Sequence, residues 1–305
     1  MTSDTPHPFA LLASLPDAVE RVAASVVGVA MRRHAASAVV WQPGVVVTSA
    51  TAVWRASRLQ LVLPSGEPVE GSLRGIDAAT DLAAIAFEGG AETAPAVDRA
   101  AAEPPPSRPG DFVFAAGRQP SGLVQASFGH VGSAAGEWRT WRGGRIDRLV
   151  KLDGGLYPGL AGAAVADASG RVLGVASPAF SRSHGVVLPM ATVDRVLAQL
   201  LEHGRVRRGY LGIAAQPARA VLDGRAADGL LVASVADGGP AAAAGVMVGD
   251  VIVEAGGQPV ASLEALRDRL AALPAGERLA IRLARGGQAV ALTLDVGERP
   301  GRRCH

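Results

Sequence analysis

Cysteine is almost absent from this chain of 305 residues, and its one cysteine, Cys304, stands beside the last residue. A single thiol excludes an internal disulfide and a metal site built from cysteines. The six histidines lack the close spacing that metal ligands share. We therefore predict no metal and no cofactor.

Long apolar runs are also missing. No run reaches the roughly 18 apolar residues that cross a bilayer, so we predict no membrane span. The first residues, Met1–His7, contain an acid and no lysine or arginine, which is atypical of a secretory signal. We expect a cytoplasmic protein from the sequence as written, and a periplasmic one if the start codon is misassigned. A formal net charge of +2 gives no basis for nucleic-acid binding.

The composition is that of a folded, turn-rich protein. Hydrophobic residues make up 49% and charged residues 19%, which excludes a disordered chain. The 38 glycines and 20 prolines favour many turns, as in β-rich folds. The length allows two or three domains, each with its own core.

A glycine-rich stretch at Lys151–Asp167 ends in the first strand of an apparent hairpin, whose strands are Ala163–Ala166 and Arg171–Ala176. Two interpretations fit. The stretch is a structural corner, or it is a turn of the kind that presents a nucleophile and oxyanion-binding amides.

Asp153–Val165 resembles the nucleophile segment of the HtrA family of trypsin-like serine proteases, Asp-Ala-x-Ile-Asn-Pro-Gly-Asn-Ser-Gly-Gly. Asp153, Pro158, Gly159 and Gly162 match it, and the nucleophile position falls on Ala161. The resemblance implies an oxyanion-hole-like backbone at Gly159 and Ala161. A methyl group cannot attack a carbonyl.

The other two triad positions lie upstream. Val45–Val53, predicted as one strand of a hairpin, resembles the family segment that carries the catalytic histidine, and that position falls on Thr51. Threonine cannot act as a base near neutral pH. Gly75–Ile85 resembles the segment of the triad aspartate, which places Asp81 there. We expect Asp81 to be a structural carboxylate held by backbone amides.

A second signature follows a helix predicted at Thr192–His203, which Thr192 caps and Gly204 ends. The sequence Tyr210-Leu211-Gly212-Ile213 resembles the carboxylate-binding loop where HtrA proteases enter their PDZ domain. The resemblance implies a peptide groove that also involves Leu266 and Leu270, although the sequence leaves these two open as core or groove lining. Either Arg207 or Arg208 would add a positive charge that assists binding of the peptide carboxylate.

The resemblance predicts a mostly β fold: a chymotrypsin/trypsin-like double β-barrel followed by a small α+β PDZ domain. The expected boundaries are a flexible lead-in at 1–13, a protease domain at 14–204 with barrels joined near 88–109, a PDZ domain at 205–299 and a tail at 300–305.

Three functions fit these residues. The first is an inactive protease homologue that binds protein or peptide C-termini, as a homo-oligomer such as a trimer or together with an active HtrA protease. The second is a serine endopeptidase of protein quality control whose nucleophile is Ser127, Ser177 or Thr51, and in which His184 is a weak candidate base. The third is a structural, oligomerising subunit. Tryptophan and arginine alternate at 137–148, which suits a packed loop better than a nucleic-acid surface.

Overall fold

The computed structural model describes residues 13–31, 35–54, 58–89, 92, 94–98, 107–222, 224–273 and 276–298. The chain divides into two compact units, Met1–Val206 and Arg207–His305. The sequence placed this division between 204 and 205. Residues 1–12 of the lead-in, parts of the 88–109 connection and the whole tail at 300–305 lie outside the described residues.

The first barrel closes through six antiparallel strands in the order β1-β2-β3-β6-β5-β4. These strands are β1 (Val26–Ala30), β2 (Ala35–Gln42), β3 (Val45–Ser49), β4 (Leu59–Val62), β5 (Pro68–Asp77) and β6 (Leu82–Phe87).

The second barrel has the order β11-β14-β13-β12-β7-β8, and a separate two-stranded ribbon pairs β9 with β10. The strands are β7 (Phe112–Arg118), β8 (Val124–Ala135), β9 (Trp138–Arg139), β10 (Arg145–Ile146), β11 (Leu149–Leu152), β12 (Ala164–Asp167), β13 (Val172–Ser177) and β14 (Val186–Pro189).

The unbroken valine runs reflect burial of the strands on both faces. In β3, Val46 belongs to the interior of the first barrel. Its neighbours Val45 and Val47 lie in the core that the two barrels share, together with Phe114 and Ala164 of the second barrel. Strands covered on both sides carry continuous apolar sequence instead of alternation.

In the described residues this unit also has three helices: α1 (Leu15–Ala23), α2 (Ala50–Val53) and α3 (Met190–His203). The prediction of one strand over Val45–Val53 is wrong, because the strand ends at Ser49 and a helical turn follows. The Ala50 N–H donates to the main-chain oxygen of Asp81 at 3.0 Å, which draws the chain out of the strand.

The capping role predicted for Thr192 is also wrong. Helix α3 begins at Met190, and Thr192 Oγ1 donates to Asp147 Oδ2 at 2.7 Å while it accepts from the Asp147 N–H at 3.0 Å. Gly204 ends the helix as predicted, with φ +70°. Thr192 therefore ties α3 to the loop after β10.

The second unit is built on a sheet in the order β16-β17-β18-β20-β21, with β19 paired to β18 and a short pair β15-β22. Its elements are β15 (Gly209–Tyr210), β16 (Ile213–Leu222), β17 (Arg225–Val235), α4 (Pro240–Ala243), β18 (Val251–Ala255), β19 (Gln258–Pro259), α5 (Leu263–Ala272), β20 (Arg278–Arg285), β21 (Gln288–Asp295) and β22 (Gly297–Glu298).

An ion pair between half-buried Arg285 and buried Asp250 holds the turn before β18. Arg285 donates from Nε to Asp250 Oδ1 and from Nη2 to Asp250 Oδ2, both at 2.8 Å, and the Met247 N–H donates to the same carboxylate. Burial raises the pKa of Asp250, but these hydrogen bonds and the guanidinium charge lower it more, so the net shift is downward.

The predicted mostly β architecture is confirmed. Across the described ranges, no helix is both long and apolar enough to span a membrane. Nor do acids, histidines and cysteines in these ranges gather into a metal-binding group.

Candidate functional site

The carboxylate of Asp81 is the centre of a buried cluster of hydroxyl groups. The side chain is 1% exposed, and its backbone has φ +57°, a left-handed conformation that aspartate tolerates better than most residues. Oδ2 accepts from Ser49 Oγ at 2.7 Å and from Ser177 Oγ at 2.6 Å. Oδ1 accepts from the Thr51 N–H at 2.8 Å and from Thr51 Oγ1 at 2.7 Å.

Three separate elements bring these donors together. Ser49 ends β3, Thr51 lies in α2, and Ser177 ends β13 of the second barrel. The pairing of Ser49 with Leu82 sets the turn that carries Asp81 beside them. The carboxylate was expected to bind backbone amides, and the structure gives it one amide and three hydroxyls.

The segment that resembles a nucleophile loop forms a tight turn. The Leu160 N–H donates to the Tyr157 oxygen at 3.1 Å, and Gly159 has φ +94° at the third position of the turn. This pattern, with proline second and glycine third, is typical of a type II turn. Ser37 fastens it, because its Oγ donates to the Gly159 oxygen at 2.8 Å and its N–H donates to the Ala161 oxygen at 2.9 Å.

Gly162 lets this turn pack closely against Val45–Val53, the segment that resembles the one with the catalytic histidine. A Cβ at this position would collide with the Ser37 oxygen and Thr48 Oγ1, and would lie 2.9 Å from the Ser49 nitrogen. The backbone also has φ +80°. Only glycine fits such a close approach. The structure therefore brings Ala161 next to the segment that carries Thr51.

The main-chain N–H groups of Gly159 and Ala161 donate to no acceptor within the described ranges. Both residues are half-buried. Two such donors are what an oxyanion hole requires. Residue 161 itself contributes only a methyl group.

The alternative nucleophiles are poorly placed. Ser177 is fully buried and donates to Asp81. Ser127 lies opposite Ala115 in the β7–β8 pair and makes no side-chain hydrogen bond to a described residue. His184 is exposed and shares a hydrogen bond with the preceding serine at 2.8 Å. None of the described histidines hydrogen-bonds to the cluster; they are His130, His184 and His203.

In the second unit, the predicted carboxylate-binding loop turns at Gly212, with φ +78°. The Leu211 oxygen accepts from the Ala241 N–H at 2.9 Å, and the Gly212 oxygen accepts from the Ala236 N–H at 2.7 Å. The N–H groups of Leu211 and Gly212 have no acceptor in the described part of the chain. The loop thus pairs its carbonyls within the fold and leaves these two donors unpaired among the described residues.

The other residues predicted for the groove take different places. Tyr210 lies in β15, and Ile213 begins β16, which is an edge strand of the sheet. Leu266 is 4% exposed and belongs to the core, whereas Leu270, Ile213 and Leu263 are half-buried against that core. Leu266 is therefore mainly a core residue.

The two arginines upstream of the loop are not free charges. Arg207 Nε lies 3.8 Å from Glu298 Oε1, and Arg208 also has an interaction partner.

Sequence reasoning missed Ser49 and Ser37, which hold the carboxylate and the turn. Both belong to the hairpin that resembles the segment with the catalytic histidine, but that resemblance drew attention to Thr51 alone. A further signal is a small hydroxyl within a valine-rich strand that is otherwise buried.

Comparison with known proteins agrees with this architecture. Residues 36–175 match the family model of a trypsin-like peptidase domain, and residues 209–296 match that of a PDZ domain. A probable periplasmic serine endoprotease, DegP-like, from Brucella suis is 32% identical over 86% of this chain and 52% of that protein. The putative serine protease HhoB of Synechocystis is 31% identical over 84% of this chain and 64% of its own length.

Two solved structures are similar over nearly the whole chain. The serine endoprotease from Yersinia pestis is 26% identical, with a TM-score of 0.76 over 97% of this chain and 100% of that one. The HtrA-type protease AlgW with a tripeptide is 27% identical, with a TM-score of 0.71 over 94% and 98%. The chain spans about half the length of the DegP-like relatives it matches. With its two barrels and the domain that follows them, the chain belongs to the HtrA/DegP family of trypsin-like serine proteases with a C-terminal PDZ domain.

Proposed function

We propose that this chain is a catalytically inactive member of its family that binds peptide or protein C-termini through its PDZ domain. One observation carries the first half of the proposal. The Asp81 carboxylate binds hydroxyl groups where a protease needs an imidazole, and residue 161 offers only a methyl group.

Acyl transfer needs a nucleophile, a base that takes its proton and a group that orients the base. The Thr51 hydroxyl donates a hydrogen bond to Asp81 and cannot serve as that base. Ser177 would have to leave a fully buried hydrogen bond before it met a substrate. These contacts favour loss of catalysis over a displaced nucleophile.

The PDZ loop and strand β16 support the second half. The Leu211 and Gly212 N–H groups are available to a terminal carboxylate. Because β16 is an edge strand, a peptide can add to the sheet beside it. Ile213, Leu263 and Leu270 are aliphatic and half-buried, so they suit an apolar last side chain.

The test of catalysis treats the full chain with a fluorophosphonate probe and with casein. We expect neither labelling nor cleavage. Labelling that disappears on substitution of a single serine or threonine would show an active enzyme and refute the first half.

The test of peptide binding compares free-acid and amidated versions of one C-terminal peptide on the full chain. Burial of one apolar side chain is worth about 1.5–3 kcal/mol, or roughly 10- to 100-fold in affinity. Leu270→Asp should therefore abolish most binding, while Val248→Asp, at an exposed site of the same domain, should not. Equal binding of both peptides would refute this use of the loop.

A further inference from the structure

A cavity of about 830 Å³ lies between helix α1 and strand β8. Its volume falls within the range of about 300–1,000 Å³ that is typical of small-molecule sites. Val124 and Phe128 of β8 form one wall, and Arg118, the last residue of β7, also belongs to the lining. The other wall is one side of α1, where residues four apart lie above one another; it consists of Leu15, Pro16, Val19, Glu20, Ala23 and Ala24.

The wall on β8 is apolar and firmly held, although it reaches the surface. Phe128 is 54% exposed, yet its ring centroid lies 6.2 Å from that of Phe112 and 6.1 Å from that of Phe114. Val124 is exposed as well. Exposed apolar side chains that line one concavity favour a ligand, because the ligand removes their surface from water.

Arg118 brings a positive charge into this apolar lining. The side chain is 7% exposed, and it donates from Nε to the Val26 oxygen at 2.8 Å, from Nη1 to the Gly122 oxygen at 2.9 Å and from Nη2 to the Ala23 oxygen at 2.9 Å. These acceptors are neutral, and no described carboxylate pairs with Arg118. Each terminal nitrogen of a guanidinium has a second N–H, so donors remain without a described acceptor.

The charge of Arg118 is desolvated without being neutralised. Burial lowers the pKa of Arg118, because desolvation disfavours the charged form. A guanidinium nevertheless stays protonated at neutral pH. Glu20, the other charged residue of the lining, is exposed and forms no ion pair with Arg118 in the described ranges. A negative group inside the cavity would therefore offset the cost of burying this cation.

The lining also indicates what the rest of such a ligand is made of. Apart from Arg118 and Glu20, its side chains are all hydrocarbon. A peptide backbone placed against them would lose hydrogen bonds to water and find few side-chain partners, which costs free energy. An unbranched alkyl chain has no such groups to satisfy.

We propose that this cavity binds a long-chain carboxylate, with the head group on the guanidinium of Arg118 and the alkyl chain between α1 and β8. Arginine pairs with carboxylates through charge-assisted hydrogen bonds, which are the strong ones. Each methylene removed from water is worth about fourfold in affinity. No lining residue belongs to the PDZ domain or to the Asp81 cluster, so the proposal stands apart from the proposed function.

Isothermal titration calorimetry of the full chain with decanoate, acetate and decan-1-ol tests both parts of the ligand. We expect decanoate to bind with a dissociation constant on the order of 0.1 mM. Acetate should bind at least about a hundredfold more weakly because it lacks the chain, and decan-1-ol at least about tenfold more weakly because it lacks the charge. Absence of decanoate binding would overturn the proposal, and so would equal affinities of decanoate and decan-1-ol.

Substitutions in the lining test the sign of the charge. Glu20→Gln removes a like charge and should tighten decanoate binding about threefold at low salt. Val124→Glu adds a like charge and should weaken binding at least about tenfold, whereas Val124→Gln, which has a similar size and no charge, should weaken it less. Val221→Glu, at an exposed position of the PDZ domain, should change nothing. Equal effects of the two Val124 substitutions would contradict a carboxylate at this place.

A second copy of the chain is the other occupant that an apolar cavity could take, and sedimentation distinguishes the two. Phe128→Asp should weaken decanoate binding and leave the mass of the protein unchanged. A mass that falls on this substitution, in a protein that binds no decanoate, would show that another copy fills the cavity and would refute the proposal.

Discussion

Asp81→Ala should destabilise the two-barrel unit strongly. The change leaves two fully buried hydroxyls, Ser49 and Ser177, without their acceptor. Each unsatisfied buried group costs about 1–3 kcal/mol, and alanine at φ +57° adds about 1–2 kcal/mol. We expect a total loss of about 3–8 kcal/mol, a large part of a typical stability of about 5–15 kcal/mol.

Urea unfolding followed by tryptophan fluorescence measures this loss. All four tryptophans, Trp41, Trp54, Trp138 and Trp141, lie in the first unit, so their signal reports on the barrels. The control is Asp153→Ala, an exposed carboxylate without a side-chain hydrogen bond to any described residue. It should change stability little.

A triple variant tests the origin of this loss more sharply. If the cost comes from stranded hydroxyls, replacing Ser49 and Ser177 by alanine in the Asp81→Ala background should recover part of the loss. Removal of both partners of a buried hydrogen bond is cheaper than removal of one. A triple variant that is no more stable than the single one would refute this account of the cluster.

Three further predictions follow from other contacts. Ala161→Ser alone should not cleave casein, whereas adding Thr51→His should give a trace of cleavage beside the retained carboxylate; robust cleavage by the single variant would reveal another base. Asp250→Asn should destabilise the PDZ domain at neutral pH, as seen by circular dichroism. The folded-state pKa of Asp250 lies below its ordinary value, so the stabilisation from its charge is present above the unfolded pKa of about 3.9 and disappears as the pH falls through the folded value. The stability difference between the unsubstituted chain and the asparagine variant should therefore shrink in acid. Gly162→Ala should lower the melting temperature far more than Gly66→Ala, since both have positive φ but only the former meets neighbouring atoms; equal losses would show that backbone strain alone matters.

The sequence by itself determined the fold class, and it predicted the loss of two catalytic residues. The many glycines and prolines favoured a β-rich fold and the family resemblance implied a double barrel, and the structure has two closed barrels. Residue 51 is threonine and residue 161 is alanine, so the prediction that the family's histidine and serine are missing there needed no coordinates. The terminating Gly204 also follows from local chemistry, because a left-handed helix end favours glycine.

Strand β16 shows where local signals fail. Alanines and Pro217 give 213–222 no strand pattern, yet these residues pair with β17 along their whole length. Proline is tolerated there because β16 is an edge strand, a property that exists only once the sheet is assembled.

The tertiary structure alone decided what Asp81 and Thr192 do. Ser177 stands 96 residues after Asp81, and Thr192 is 45 residues from the aspartate it bonds. A lone serine or threonine carries no sequence signal for such a distant partner. Its hydroxyl can cap a helix, face water or bind a buried carboxylate, and burial selects among these because an unpaired polar group in the core costs free energy.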